Sequence, residues 1–225
     1  MLEEREIALG IDLGGTTFVV GALDWEGREL ASASFDTPHT KDSSVILEEL
    51  ATRVQEVAVG VEGRPVGLGV GIPGVVEPER GHVVRCPNLP ALDNTEAAPE
   101  LSTRLGMPVF INNDAYCATL AELRWGAGRD VENLLMLTLG TGIGGGVAMG
   151  NRVIRGPRQL IGEIGHSIVN PEGALCGCGN HGCFEAQAGR GAIIDMTIRK
   201  IQTGRETLLL SLCEGDLSRI DPRFV

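Results

Sequence analysis

Two carboxylates, a histidine and three cysteines crowd into one glycine-rich stretch, Gly162-Glu-Ile-Gly-His166 followed by Cys176-Gly-Cys178-Gly-Asn-His-Gly-Cys183-Phe-Glu185. Three thiolates and one imidazole make a closed tetrahedral shell for zinc, an ion that takes soft sulfur and nitrogen donors. A single glycine separates Cys176 from Cys178 and four residues precede Cys183, so one tight knuckle can supply all three sulfurs. His166 and His181 are the two candidates for the fourth ligand. A zinc here would stiffen the loop and fix Glu163 and Glu185 along the wall of a small-molecule site. The competing reading is a disulfide with a spare thiol. Six cysteines in 225 residues are too few for a disulfide scaffold, and the acidic opening Met1-Leu-Glu-Glu-Arg-Glu is no signal peptide. The expectation is therefore a reducing, cytoplasmic setting, with Cys86, Cys117 and Cys213 buried as small apolar side chains.

Two further loops suit phosphate. Asp12-Leu-Gly14-Gly15-Thr16-Thr17 follows an apolar run, and adjacent glycines let backbone N–H groups face an anion while the threonines add hydroxyl donors. Asp12 could hold magnesium, directly or through water. Alone, this is an ordinary tight turn. A second loop, Thr138-Leu-Gly140-Thr141-Gly142-Ile-Gly144-Gly-Gly146, raises its weight, because two such loops can clamp a polyphosphate from both sides. The first is not a Walker loop, since no Gly-Lys-Ser/Thr follows, and the second leads into a strand rather than the helix of a dinucleotide fold. Asn112-Asn113-Asp114 sits after a strand, where a carboxylate can accept a proton from a hydroxyl and an amide can orient it. The bland alternative there is an Asx turn or a helix cap.

The elements that must position these groups alternate strand and helix. Ile7–Leu13, Thr17–Asp24 and Arg28–Phe35 read as a three-stranded meander turning through Trp25-Glu-Gly27. Helical spacing over 43–59 puts Val45, Ile46, Leu50, Val54 and Val57 on one face. Strands follow at 66–72 and 108–111, with helices at 95–105 and 115–124. A second unit opens with strands at 134–139 and 143–149 and a Gly150-Asn151 turn; the metal loop and helices near 191–203 and 206–214 complete it. The domain boundary is placed near Cys117, giving units 1–117 and 118–225. Asp221-Pro222 pairs an N-cap candidate with proline at the first helical position just before the last residue, which suggests a shortened chain; a solvated tail is the rival explanation.

Composition bounds the partners. With 30 acidic against 19 basic residues the net charge is −11, a surface that repels nucleic acid and anionic lipid. Mean hydropathy is +0.09 and no apolar run approaches a membrane span.

Taken together, these residues resemble the ROK family (repressors, open reading frames, kinases) of the sugar-kinase, actin-like superfamily. The matches keep the family's order: Asp12-Leu-Gly-Gly-Thr16, Gly71-Ile-Pro-Gly74, Asn113-Asp114-Ala115, Leu139-Gly-Thr-Gly-Ile-Gly-Gly-Gly146, Gly162-Glu-Ile-Gly-His166 and Cys176-x-Cys178-Gly-x-x-Gly-Cys183-x-Glu185. The resemblance implies an α/β, ribonuclease H-like two-domain fold with a zinc-stapled loop. It implies Asp114 as the general base that deprotonates a hexose 6-hydroxyl for attack on ATP. Asn113, Glu163, His166 and Glu185 would bind sugar hydroxyls, with Gly74 and Asn88 lining the pocket. His166, Cys176, Cys178 and Cys183 would hold zinc, leaving His181 a loop residue. Asp12 would serve magnesium, and Gly14, Gly15, Thr16, Thr17, Gly140, Thr141 and Gly142 would face phosphate. A homodimer is also implied.

This sequence departs from the family at two flanks of the base, where Asn112 and Tyr116 replace the glutamate and asparagine often found there. Family members also continue past this point through an adenosine-binding segment and a final helix. The leading expectation is glucose phosphorylation, or a truncated form of such an enzyme. The alternatives are an N-acylmannosamine or fructose kinase, a sugar-binding regulator without turnover, and a zinc-stapled interaction domain.

Overall fold

A computed structural model describes residues 5–156 and 161–222. Strand β1 (Glu6–Leu13) buries Ile7, Leu9, Ile11 and Leu13 on one face, the period of two that a half-buried strand demands. β2 (Thr17–Leu23) and β3 (Glu29–Asp36) complete the antiparallel meander. Helix α1 (Ser43–Val59) then crosses to β4 (Arg64–Ile72), which pairs parallel with β1. A short hairpin, β5 (Val75–Glu77) and β6 (His82–Arg85), precedes α2 (Ala97–Leu105), β7 (Val109–Asn113) and α3 (Asp114–Arg124). β7 lies parallel to β4, so the sheet order is β3-β2-β1-β4-β7. The chain continues through β8 (Leu134–Leu139), β9 (Ile143–Met149), β10 (Arg152–Val153), α4 (Phe184–Ala188), α5 (Arg190–Gln202) and α6 (Leu209–Leu212).

Helix α1 starts at Asp42, whose side chain accepts from the Ser44 N–H and so satisfies one free donor of the first turn. Its buried face is Ile46, Leu47, Leu50, Ala51, Val54 and Val57. Val45, expected on that face, is 48% exposed, because it precedes Ile46 by a full 100° of helical rotation. Each fully buried side chain of this size contributes roughly 1.5–3 kcal/mol, so this face and the inward sides of β1, β2 and β4 hold the layers together.

Contacts divide the chain into two compact units, Met1–Leu134 with Ala148–Leu160, and Leu135–Val147 with Ile161–Val225. The chain passes from one to the other within β8 and β9. Cys117, where the sequence places the boundary, instead sits inside α3, which packs on β4 and β7 in the first unit. The Asn112-Asn113-Asp114 run is a strand-to-helix turn. In the second unit the buried apolar side chains among the described residues are Ile143, Cys176, Cys183, Cys213 and Ile220, and neither α5 nor α6 buries a residue. The helix expected over 206–214 shortens to α6. Asp221 is buried and accepts from Arg190 at 2.8 Å; residues 223–225, where a helix starting there would continue, lie outside the described residues.

Asp24 makes an internal pH probe. It is buried at the turn after β2, and accepts from Arg5 and Arg28 side chains at 2.8 Å and from the Glu26 and Arg28 N–H groups. Burial raises its pKa, but the Arg28 hydrogen bonds and the two guanidinium charges outweigh that and hold it below the ordinary range. A depressed folded-state pKa contributes stability above the unfolded value that is lost as pH falls below about 4. Asp24→Asn is therefore expected to lower the melting temperature by several degrees at pH 7 and much less near pH 3. Equal losses at both values, in thermal scans of the two proteins, would refute that linkage.

Candidate functional site

Parallel strands β1, β4 and β7 end together, and Asp12, Gly71 and Asn112 pair in register across those ends. Ligand sites of open α/β sheets lie at such carboxyl ends. Asp114 follows as the first residue of α3, half-buried, with its Oδ1 accepting from the Ala115 N–H at 2.8 Å. Asn113 is the helix N-cap: its Oδ1 accepts from the Tyr116 N–H at 3.0 Å, while its Nδ2 donates to the Gly74 carbonyl at 3.2 Å. That second bond reaches back 39 residues and ties the Pro73-Gly74 turn to the start of α3. Position 74 admits only glycine, since a Cβ would lie 2.2 Å from the Arg85 carbonyl oxygen.

The Gly14–Thr17 loop closes on itself through the Gly14 N–H and Thr17 carbonyl at 3.0 Å. Thr37, buried beyond β3, pins it twice: its hydroxyl donates to the Gly14 carbonyl at 2.9 Å and its N–H to the Thr16 carbonyl at 2.8 Å. Thr16 and Thr17 remain exposed. Gly15 lies against Asn88, whose Cβ would be 3.0 Å from a Cβ added at 15. Asp12, the Gly14–Thr17 loop, Asn88, Gly74, Asn113 and Asp114 thus belong to the first unit.

In the second unit, one ligand atom each from His166, Cys176, Cys178 and Cys183 lie within 4.8 Å of one another. The Cys176 Sγ to His166 Nδ1 and Cys178 Sγ to Cys183 Sγ separations are both 3.6 Å. Four ligands at about 2.0–2.3 Å from a tetrahedral zinc stand roughly 3.5–3.8 Å apart, so the set fits the ion. The loop is shaped for it: Cys176 accepts from the Gly179 N–H and donates to the Asn180 carbonyl, folding the knuckle. Gly182 is at φ +71°, and a Cβ there would fall 1.5 Å from the Asn170 carbonyl oxygen. The Asn180 N–H holds the Cys178 thiol below its ordinary pKa, whereas burial pushes Cys183 up to about 12. Three neighbouring thiolates need a positive centre to coexist. His181 stands apart, exposed and hydrogen-bonded through Nδ1 to the Gly173 carbonyl at 3.2 Å.

Glu185 connects this cluster to the second glycine loop. Its Oε2 accepts from the Ile143 N–H at 2.8 Å, and its Oε1 lies 3.8 Å from the Cys176 sulfur. A Cβ at Gly142 would meet that carboxylate at 2.2 Å. Glu163 is exposed, its Oε2 3.9 Å from His166 Nε2. His166 therefore turns one ring nitrogen to sulfur and the other to a carboxylate, the arrangement that fixes a metal-ligand tautomer.

A family model described as "ROK family" matches residues 8–213. The chain belongs to the ROK family. It is 40% identical over 185 residues to a glucokinase of Thermotoga maritima, covering 82% of this chain and 58% of that one. A putative xylose repressor of Caldicellulosiruptor is 32% identical over 207 residues, covering 89% of this chain and 51% of the repressor. The crystal structure of a ROK family glucokinase from Streptomyces griseus with glucose and AMPPNP superposes with a TM-score of 0.83 at 32% identity, covering 97% of this chain and 69% of that one. The fold is thus the actin-like α/β architecture of the ROK sugar kinases.

Two features of this ROK chain escaped sequence reasoning. Thr37 carries no motif, and its role follows only from where β3 ends. Cys117 is not in the apolar setting expected of it: it is half-buried one turn after Asp114, and its thiol is pushed up to about 11 by burial and then by the negative charges of Asp114 and Asp12. The i, i+3 spacing on α3 was the available signal. Among the described residues no helix is long and apolar enough to cross a membrane.

Proposed function

We propose that this chain is a ROK sugar kinase that transfers the γ-phosphoryl of ATP to the 6-hydroxyl of a hexose, with glucose as the preferred sugar. Asp114 carries the reading, because it is the carboxylate placed at the helix start beside the strand ends of β1, β4 and β7, with Asn113 locked next to it by two hydrogen bonds. Kinship with glucokinases supports glucose over its relatives.

In this mechanism the sugar hydroxyl gives its proton to the Asp114 carboxylate while its oxygen attacks the γ-phosphorus and the ADP oxygen leaves. The start of α3, the positive end of its dipole, favours negative charge at Asp114. The Gly14–Thr17 backbone and the Thr16 and Thr17 hydroxyls would face phosphate oxygens, with Gly140, Thr141 and Gly142 as the second loop, and Asp12 would hold magnesium. Catalysis by such a site is mostly positioning and charge neutralisation. Glu163, His166 and Glu185 would take sugar hydroxyls as hydrogen-bond partners, with Gly74, Asn88 and Asn113. Zinc held by His166, Cys176, Cys178 and Cys183 would supply a structural cross-link.

Kinship with a putative repressor favours a second reading, a sugar-binding protein without turnover. A coupled assay with magnesium–ATP against glucose, mannose, fructose and N-acetylmannosamine separates the two. Turnover led by glucose is the expected result. Sugar binding by calorimetry with no turnover on any sugar would replace the kinase by the sensor.

A further inference from the structure

The segment after β10 returns to the first unit's catalytic helix through Arg155. Its guanidinium carbon lies 4.5 Å from the centroid of the Tyr116 ring, and its Nη1 donates to Glu79 at 3.2 Å. The Arg155 Nε is buried without a hydrogen-bond acceptor. Burying a donor in this way is unfavourable, and stacking on an aromatic face is strongest where water is excluded. Tyr116 in turn lies in the first turn of α3, two residues after Asp114, and its N–H is the one capped by Asn113. Three pieces of chain, the β5–β6 turn, the end of β10 and the first turn of α3, therefore meet on one ring.

We propose that Arg155, acting through Tyr116 and braced by Glu79, is a positioning residue for Asp114. The chemistry of the pair explains a departure in the sequence: an aromatic at 116 offers a face for a guanidinium, which the asparagine often found there does not. The positive charge of Arg155 is also felt at Cys117, the same thiol that feels Asp114 and Asp12, which puts the guanidinium in the electrostatic neighbourhood of the base. Without the stack, the first turn of α3 keeps its cap but loses the contact that sets its rotation, and with it the direction of the Asp114 carboxylate.

This inference rests on Asp114 being the base, and its test separates the two ideas. Tyr116→Ala and Arg155→Ala are each expected to lower kcat about ten- to hundredfold, the cost of small misplacement, with KM for sugar and ATP within about threefold of the parent. Tyr116→Phe should retain parental kcat because it keeps the ring, and the double alanine variant should be no worse than either single, as for residues acting as a unit. Glu79→Gln, which leaves the stack intact, should cost far less. The Ala115 amide, hydrogen-bonded to Asp114 Oδ1, reports the carboxylate's position by NMR in the sugar-free protein. Its signal should move in Tyr116→Ala and Arg155→Ala and stay in Tyr116→Phe. An unmoved Ala115 signal, a raised KM in place of a lowered kcat, or a Tyr116→Phe as impaired as Tyr116→Ala overturns the proposal. A chain without turnover whose Ala115 signal shifts as described removes the kinase reading and keeps the positioning role.

Discussion

Asp114→Asn is expected to bind sugar as the parent does and to turn over about 10²–10⁴-fold more slowly, the usual worth of a positioned base. That loss corresponds to roughly 3–5 kcal/mol of transition-state stabilisation. The substitution is well matched to the structure. Asparagine has the same shape, its side-chain oxygen can still accept from the Ala115 N–H, and the Asn113 cap on Tyr116 is untouched. What disappears is the capacity to take a proton. The measurement is a pair, calorimetric sugar affinity and steady-state kcat on the same preparation. Near-parental turnover would take Asp114 out of the role of base. Loss of sugar affinity along with turnover would make it a binding residue instead.

The second large effect belongs to the metal. Cys178→Ser should lower zinc content and sugar affinity together, the latter about 10–100-fold, as for groups that orient ligands around a metal centre. Cys178 is the exposed sulfur of the cluster, so its replacement changes ligation more than packing. The physical reason for a strong coupling is that, among the described residues of the second unit, two of the five buried apolar side chains, Cys176 and Cys183, are themselves candidate ligands. Because those ligands are buried side chains, metal ligation becomes part of the folding energy of the loop. Glu185, through the Ile143 N–H, would transmit the loss to the second glycine loop. Elemental analysis with calorimetry decides the matter: metal lost with affinity unchanged means that zinc does not organise Glu163 and Glu185. His181→Ala is the control and should keep its metal, because His181 points to the Gly173 carbonyl.

Much of the architecture was legible because it is written in local chemistry. The strands at 134–139 and 143–149 and the helix at 43–59 have the bounds the sequence predicts, since each is set by a turn or cap residue at its end: Gly140 and Gly142 between the strands, Asp42 before the helix. Gly150-Asn151 reads as a hairpin turn and adopts one, both residues having positive φ (56° and 59°). The β5–β6 hairpin went unseen because its strands are three and four residues long, too short for a period to show. Cys117, where the sequence places the boundary, lies within α3, and contacts divide the chain instead within β8 and β9.

The candidate site divides along the same line. Sequence alone determined which groups are available: the two glycine loops, Asn113-Asp114, and the cysteine knuckle with its glycines, because motif spacing in a loop is a local property of the chain. It left His166 and His181 equal as ligands on residue type, and it placed Cys117 in an apolar setting. Only the tertiary structure brought His166 Nδ1 to 3.6 Å from the Cys176 sulfur, set Asp12, Gly71 and Asn112 side by side, and laid Arg155 on Tyr116, 39 residues away in the chain. The Ile168–Cys183 β-bridge brings His166 to the knuckle, while sheet register and the packing of α3 on β4 and β7 decide the other two. Both depend on burying apolar faces far apart in sequence, which no local pattern records.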